Sequence, residues 1–220
     1  FKSHAEKTLY EHSLRIAFIH YVLTTRDLKI NSDGISAPLL HDIGKLIIPS
    51  KILNREKQKL NEEEIILVKK HPEAGALILE ELGYNKETQD LALNHHRRLD
   101  GTGYPPNFKP LQLSPQVRLL MVEDIYDSMV YGRGYTGKVY TPNFTALFLA
   151  LQSGLIEIKD LDDKKWIKES FKNYKLEKDN EKHMTNLEGL LKLYLLGDKL
   201  MLDPTYVEPL NHRIMKFQVK

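Results

Sequence analysis

Apolar residues recur at helical spacing along most of this 220-residue chain, and the period-two alternation of a half-buried strand is rare. Between Ser3 and Thr25, Leu9, Ile16, Ile19 and Leu23 share one helical face, with His12 inside the same seam. Asp33 to Leu46 carries an apolar turn, Leu39-Leu40, that runs directly into His41-Asp42. Asn61 followed by Glu64 predicts a capping box and a helix to about Lys70. Pro72 to Leu82 reads as a helix stopped by Gly83, and Asn85 can cap another that carries Leu91, Leu93, His95 and His96. The glycines and prolines between Asp100 and Pro110 predict a loop. Ser114-Pro115 then opens a strong helix that runs to Tyr131 and ends at Gly132. Phe144 to Leu151, Leu187 to Leu202 and Val207 to Phe217 read as further helices, and the mixed charges of Lys159 to Lys182 as a solvated helical face. Strand signals are confined to Leu46-Ile47-Ile48 and a hairpin pattern near Tyr135 to Tyr140. The expected fold is all-α, with a core over residues 1–158 and a helical C-terminal extension over 159–220.

Composition narrows the chemistry. With 41% hydrophobic and 28% charged residues the chain can bury one sizeable core. A formal net charge of +2 names no partner, and no basic stripe points to DNA or RNA. The chain has no cysteine, so disulfides, thiolate zinc sites and cysteine nucleophiles are excluded, and any metal must be held by nitrogen and oxygen. No apolar run approaches the roughly 18 residues of a membrane span, and no signal-peptide pattern opens the chain. A soluble, cytoplasmic domain without membrane contact is the expectation. The first residue, Phe1, is what a fragment would show, and a sensor or anchor could precede it.

Histidines and aspartates carry the candidate chemistry. Asp124 shares a helical face with Val117, Leu120, Met121 and Tyr131, and a carboxylate in an apolar stripe needs a compensating charge. A metal ion or a buried Arg or Lys would serve. His12 has the same character, although a lone histidine in a seam is more often a hydrogen-bonded core residue. His41-Asp42 offers an imidazole and a carboxylate able to bridge two ions. His71 sits at a helix junction before Pro72, and His95-His96, about 100° apart on one helix, suit ligands directed at neighbouring ions or an exposed polar turn. Taken together, His12, His41, Asp42, His71, His95, His96 and Asp124 suit a two-metal site of the kind that hydrolyses phosphodiesters.

The order of motifs resembles the HD-GYP domain family. Leu39-Leu40-His41-Asp42-Ile43-Gly44-Lys45 with Ile48-Pro49 and Ile52-Leu53 is similar to its opening signature. His71-Pro72-Glu73-Ala74-Gly75, then His95-His96, Arg98 and Asp100-Gly101-Thr102-Gly103-Tyr104-Pro105, match the following blocks. Arg118, Asp124-Ile125-Tyr126-Asp127, Arg133 and Tyr135 continue the likeness, which spans about His12 to Leu151. The resemblance implies a helical HD-superfamily fold and hydrolysis of cyclic di-GMP to pGpG and on to GMP, by in-line attack of a metal-bridging hydroxide. It implies that the histidines and aspartates above are the metal ligands and that Lys45 lies near the scissile phosphate. Gly101, Gly103 and Tyr104 would form the substrate-side loop, with Arg133 on the distal phosphate. Iron is the expected metal, manganese the next. The expected partners are a cyclic dinucleotide and signalling proteins.

The chain departs from that pattern at several positions. Thr8 stands where many members place a glutamate that helps hold a third metal, so two metals are expected. Arg97 replaces a glutamate, Glu123 an alanine, Gly134 a proline and Thr136 a basic residue. The last two remove a phosphate contact and loosen a loop, leaving room for two other readings: a receptor that binds a cyclic dinucleotide or a protein without cutting, or a phosphodiesterase for another cyclic dinucleotide.

Overall fold

The computed structural model describes residues 4–28, 35–53, 60–107, 113–132, 140–153, 202 and 204–217. Among them the helices are α1 (His4–Val22), α2 (Ser36–Leu40), α3 (Ser50–Leu53), α4 (Glu62–Val68), α5 (His71–Glu81), α6 (Lys86–Asn94), α7 (Pro115–Tyr131), α8 (Pro142–Gln152) and α9 (Pro204–Phe217). A π-helical segment, Leu23–Leu28, continues α1, and a 3-10 turn, Ile43–Ile47, follows α2.

Local chemistry sets several of these boundaries. At α4 the Asn61 side chain accepts from the Glu64 N–H at 2.9 Å, and the Glu64 carboxylate accepts from the Asn61 N–H at 2.9 Å, closing the predicted capping box. Asn85 caps α6 by accepting from the Thr88 N–H at 2.9 Å. Ser114 caps α7 ahead of Pro115, and Gly132, at φ 75°, ends it in a conformation that costs a glycine little.

Helix α7 is the centre of the molecule. Val117, Leu119, Leu120, Met121 and Val122 are all buried, so the helix is covered on more than one side. It packs against α1, α6, α8 and α9. Ile16 and Leu23 from the α1 side, Leu91 from α6, Ala146 and Leu149 from α8 and Val207 and Leu210 from α9 complete the core. On the other side of α6, α5 and the 3-10 turn pack together.

Three expectations need correction. Leu46-Ile47-Ile48 is not a strand: Ile43–Ile47 forms the 3-10 turn, tied by Lys45 N–H to Asp42 O at 2.9 Å and Ile48 N–H to Lys45 O at 3.0 Å. Leu46 and Ile47 are exposed there, because the turn buries Gly44 and Lys45 instead. Tyr131 does not share the buried face of Asp124; the last turn of α7 runs past the core and leaves it exposed. His41, Asp42, His95 and His96 lie in turns at helix ends and not within helices, the second pair because α6 stops at Asn94. The hairpin near Tyr135 to Tyr140 and the helices of Lys159 to Lys182 and Leu187 to Leu202 fall on residues that, Tyr140 and Leu202 apart, lie outside the described ones. Helix α9 starts three residues before the predicted Val207 and packs on α8.

Candidate metal centre

Each candidate ligand is delivered by a short local device. His12 comes from the middle of α1, and His41 and Asp42 from the turn between α2 and the 3-10 segment. His71 opens α5. His95 is the C-cap of α6, and His96 follows it. Asp124 lies mid-way along α7. Burial is extreme for such polar groups: His41 and His71 are 0% exposed, His95 1%, Asp42 and Asp124 2%, and His12 and His96 6%.

These side chains form two compact donor groups that share one carboxylate. His12, His41 and Asp42 make one, and Asp42, His71, His95 and His96 the other. Oδ1 of Asp42 lies 3.1 Å from His71 Nε2 and 3.5 Å from His95 Nε2. Its Oδ2 lies 3.5 Å from His41 Nε2 and 3.6 Å from His12 Nε2. One oxygen therefore faces each group. Asp124 belongs to neither compact group but flanks both, with Oδ1 3.4 Å from His12 Nε2 and Oδ2 3.6 Å from His96 Nδ1. All the predicted ligands thus reach one pocket.

Hydrogen bonding fixes which ring nitrogens are bare. His41 Nδ1 donates to Pro38 O at 2.6 Å, His71 Nδ1 to Val68 O at 2.7 Å and His95 Nδ1 to Ala92 O at 2.8 Å. A carbonyl only accepts, so Nδ1 carries the proton and Nε2 of each neutral ring presents a lone pair. His12 Nδ1 points at the Asp127 carboxylate at 2.6 Å, with the same consequence. Yet Nε2 of His71 stands 3.2 Å from Nε2 of His95, and Nε2 of His12 stands 3.3 Å from Nε2 of His41. Neutral rings in these tautomers cannot hydrogen-bond across such contacts. Two nitrogens bound to one cation at about 2.0–2.1 Å stand roughly 3.0–3.4 Å apart, so a cation between each pair resolves both. Asp42 Oδ1 is also buried without a hydrogen-bond partner, as an oxygen kept for a metal would be. The residues fit metal, and each of the two groups could hold an ion.

The electrostatics agree. Burial holds His41 far below its usual range, at about 3, and lowers His71 as well, so both stay neutral and able to coordinate. Burial pushes Asp42 up, but the Lys45 ammonium beside it prevails and holds the carboxyl well below the usual range. Lys45, three residues past Asp42, is itself buried, with Nζ against Asp42 Oδ2. Burial pulls His12 down, but the Asp124 and Asp127 carboxylates beside it outweigh that and raise it.

The loop beyond His96 folds back over the site. Arg97 and Gly103 form an isolated bridge, and the Tyr104 N–H donates to His96 O at 3.2 Å. This brings the Tyr104 ring to 4.7 Å from that of His96 and leaves Lys69 Nζ 5.7 Å from the Tyr104 ring centroid. Gly103, at φ 92°, has a reason unrelated to any ligand: a Cβ there would lie 2.3 Å from His96 O. Gly101, at φ 86°, is exposed with nothing within 4 Å of a Cβ. Arg133 lies outside the described residues.

Sequence reasoning gave no role to Arg15, Asp127, His20 or Glu123, all of which brace the site. Arg15 donates to Asp127 through Nε at 2.5 Å and Nη2 at 2.9 Å. The available signal was spacing: Arg15 lies three residues past His12, and Asp127 three past Asp124. His20 Nδ1 lies 2.9 Å from Glu123 Oε2, both fully buried between α1 and α7, and no local pattern pairs residues 103 apart.

The His20–Glu123 pair has a consequence for stability. Burial pulls His20 down, but Glu123 outweighs it and raises the imidazole above its ordinary 6.5. Burial raises Glu123 against the pull of His20. Both directions mean that the folded pair keeps a proton to higher pH than the separated groups. The His20 part is complete below the unfolded histidine value and is lost as pH rises through the raised His20 pKa, and the Glu123 part is complete below the unfolded carboxyl value and is lost as pH rises through the raised Glu123 pKa. The melting temperature of metal-free protein is therefore expected to fall as pH rises past the ordinary histidine value of about 6.5. Glu123→Gln should flatten that slope in part, since His12 is raised as well. A slope unchanged by Glu123→Gln excludes the pair as its source.

The family model described as HD domain matches residues 8–150. A cyclic di-GMP phosphodiesterase of Pseudomonas aeruginosa is 35% identical over 136 residues, which cover 60% of this chain and 32% of that protein. A 3'3'-cGAMP-specific phosphodiesterase of Vibrio cholerae is 38% identical over 128 residues, covering 56% of this chain and 27% of that protein. The chain spans about a third or less of the length of these curated relatives. Among solved structures, one described as an HDG"Y"P protein from Bdellovibrio bacteriovorus superposes with a TM-score of 0.53 at 22% identity, over 66% of this chain and 47% of that one. That likeness concerns the fold alone.

Proposed function

The chain belongs to the HD domain family, and from that premise we propose that it is a metal-dependent phosphodiesterase that hydrolyses cyclic di-GMP to pGpG and on to GMP. The observation that carries this reading is the pair of Nε2-to-Nε2 contacts, at 3.2 and 3.3 Å, between rings whose other nitrogens are already committed as donors. His12, His41, Asp42, His71, His95, His96 and Asp124 would hold two cations, iron first and manganese next, a choice that nitrogen and oxygen donors leave open. Such a pair, when bound, supplies an acidified water and neutralises phosphoryl charge.

The protein's own groups do the rest. Lys45 brings a buried ammonium beside the carboxylate shared by the two donor groups, where it can offset charge on a phosphate or support the leaving oxygen. Tyr104, edged against His96 and His71, forms a wall on which a purine can stack. Gly101 and Gly103 carry that wall, and Arg133 would meet the distal phosphate. We assign the catalytic unit to residues 1–158, which include the matched segment, and treat 159–220 as an extension, whose α9 packs on α8. Among the described residues no helix is long and apolar enough to cross a membrane. A second messenger made and consumed inside the cell goes with a cytoplasmic site and with signalling proteins as partners.

A relative specific for 3'3'-cGAMP at 38% identity supports a second reading, in which the preferred substrate is a mixed cyclic dinucleotide. Protein purified without air or chelator should contain two equivalents of iron or manganese and release pGpG from cyclic di-GMP, with chelator stopping the reaction. Faster turnover of 3'3'-cGAMP would select the second reading. Binding of cyclic dinucleotide with no product in Fe(II) or Mn(II) would replace both with a receptor.

A further inference from the structure

One imidazole of the site, His12, is braced by a different means from His41, His71 and His95. His41, His71 and His95 each donate Nδ1 to the carbonyl three residues earlier, Pro38, Val68 and Ala92. Those rings are oriented by their own turn of chain. His12 is oriented from another helix, by Asp127 on α7, 115 residues away in sequence. Asp127 is in turn gripped by Arg15 through Nε and Nη2, and the Arg15 guanidinium lies 4.1 Å from the Tyr131 ring at the end of α7. The groups also differ in size: three residues, His12, His41 and Asp42, against four, Asp42, His71, His95 and His96.

Accepting the two-metal reading above, we propose that the two cation positions are unequal and that Arg15 is the positioning residue for the weaker one. The position on the His71, His95 and His96 side has two ligands, His71 and His95, braced by their own turns of chain, and fills first. The position on the His12 and His41 side fills second, because His12 presents Nε2 correctly only while Arg15 holds Asp127 in place. Arg15 touches neither cation nor substrate. Its fork occupies both Asp127 oxygens from one side, so the carboxylate keeps one orientation toward His12 Nδ1. A lysine at this position would keep the charge but lose the fork. The Arg15 side chain is 27% exposed, so it reaches solvent and is not sealed in the core.

The test is calorimetric titration of the full metal-free chain with Mn(II) alone, followed through both equivalents. The unaltered protein should bind two, the first more tightly. In Arg15→Gln one equivalent should weaken by about 10–100-fold while the other stays within about twofold, as loss of a ligand-orienting partner predicts. Arg15→Lys should fall between. Two equivalents bound by Arg15→Gln as in the unaltered protein, or both weakened alike, overturns the inference, the latter because a general structural role does not choose between sites. Should Arg15→Gln lack its far-ultraviolet helical signal, Arg15→Lys is judged by the same criterion: one equivalent weakened several-fold supports the proposal, and none overturns it. Fewer than two equivalents on the unaltered protein would instead defeat the two-metal reading, before any variant is compared.

Discussion

Asp42→Asn is expected to lower cyclic dinucleotide hydrolysis by on the order of 10³-fold or more, the scale at which preorganised charge at a reacting centre operates. Asp42 is the one residue common to both donor groups, with an oxygen toward each. Asparagine preserves the shape but replaces one oxygen by an NH2 that donates, aims hydrogens at ring nitrogens or repels a cation, and removes the charge that balances two dications. Lys45, whose Nζ lies against Asp42 Oδ2, would at the same time lose its counter-charge in a buried site. The loss should therefore appear first in metal content, from two equivalents to one or none, and then in single-turnover rate at saturating Mn(II). His41→Ala combined with Asp42→Ala should be no less severe. Hydrolysis by Asp42→Asn within tenfold of the unaltered protein would remove Asp42 from the proposed chemistry.

Gly44→Ala should be the most damaging single methyl group in the described fold. A Cβ at Gly44 would stand 1.9 Å from His71 O and 2.5 Å from Gly75 N, both backbone atoms. Ordinary contact needs about 3.4 Å or more, and backbone cannot rotate away like a side-chain tip. The 3-10 turn and α5 would have to separate, carrying Asp42 and Lys45 away from His71. A cost of about 3 kcal/mol or more is expected, which for a chain of this size lowers the melting temperature by roughly 6–12 °C. Gly83→Ala is the control. Gly83 sits at φ 75° with nothing within 4 Å of a Cβ, so only the left-handed backbone is penalised, by about 1–2 kcal/mol. Thermal melts of metal-free protein followed by circular dichroism would compare the two, and Gly44→Ala should also lose tight metal binding. Equal, small shifts in both variants would mean that the turn and α5 are not in the close contact described.

Much of the helix pattern could be read from local rules because those rules act locally. The capping box at Asn61, the Asn85 cap and the Ser114-Pro115 start each depend on atoms within a few residues, and each helix begins where its cap dictates. Leu46 and Ile47 misled because apolar character alone does not say whether a short run pairs as a strand or merely turns; packing of Gly44 on α5 decided it. His95 and His96 were placed on a helix that ends at Asn94, before either of them, and helix ends are the boundaries that local pattern fixes least.

Residue type and order were enough to nominate His12, His41, Asp42, His71, His95, His96 and Asp124, because few compositions put so many buried nitrogen and oxygen donors on apolar faces. What they could not contain is geometry between distant segments: that Asp42 turns one oxygen to each donor group, that Asp127 reaches His12 from α7 under the grip of Arg15, and that Glu123, in sequence only an unusual neighbour of Asp124, meets His20 in the dark between α1 and α7. Those contacts exist only once helices have packed, since the energy that selects them comes from burying charge beside a compensating partner, and a chain cannot announce which partner that will be until its core has closed.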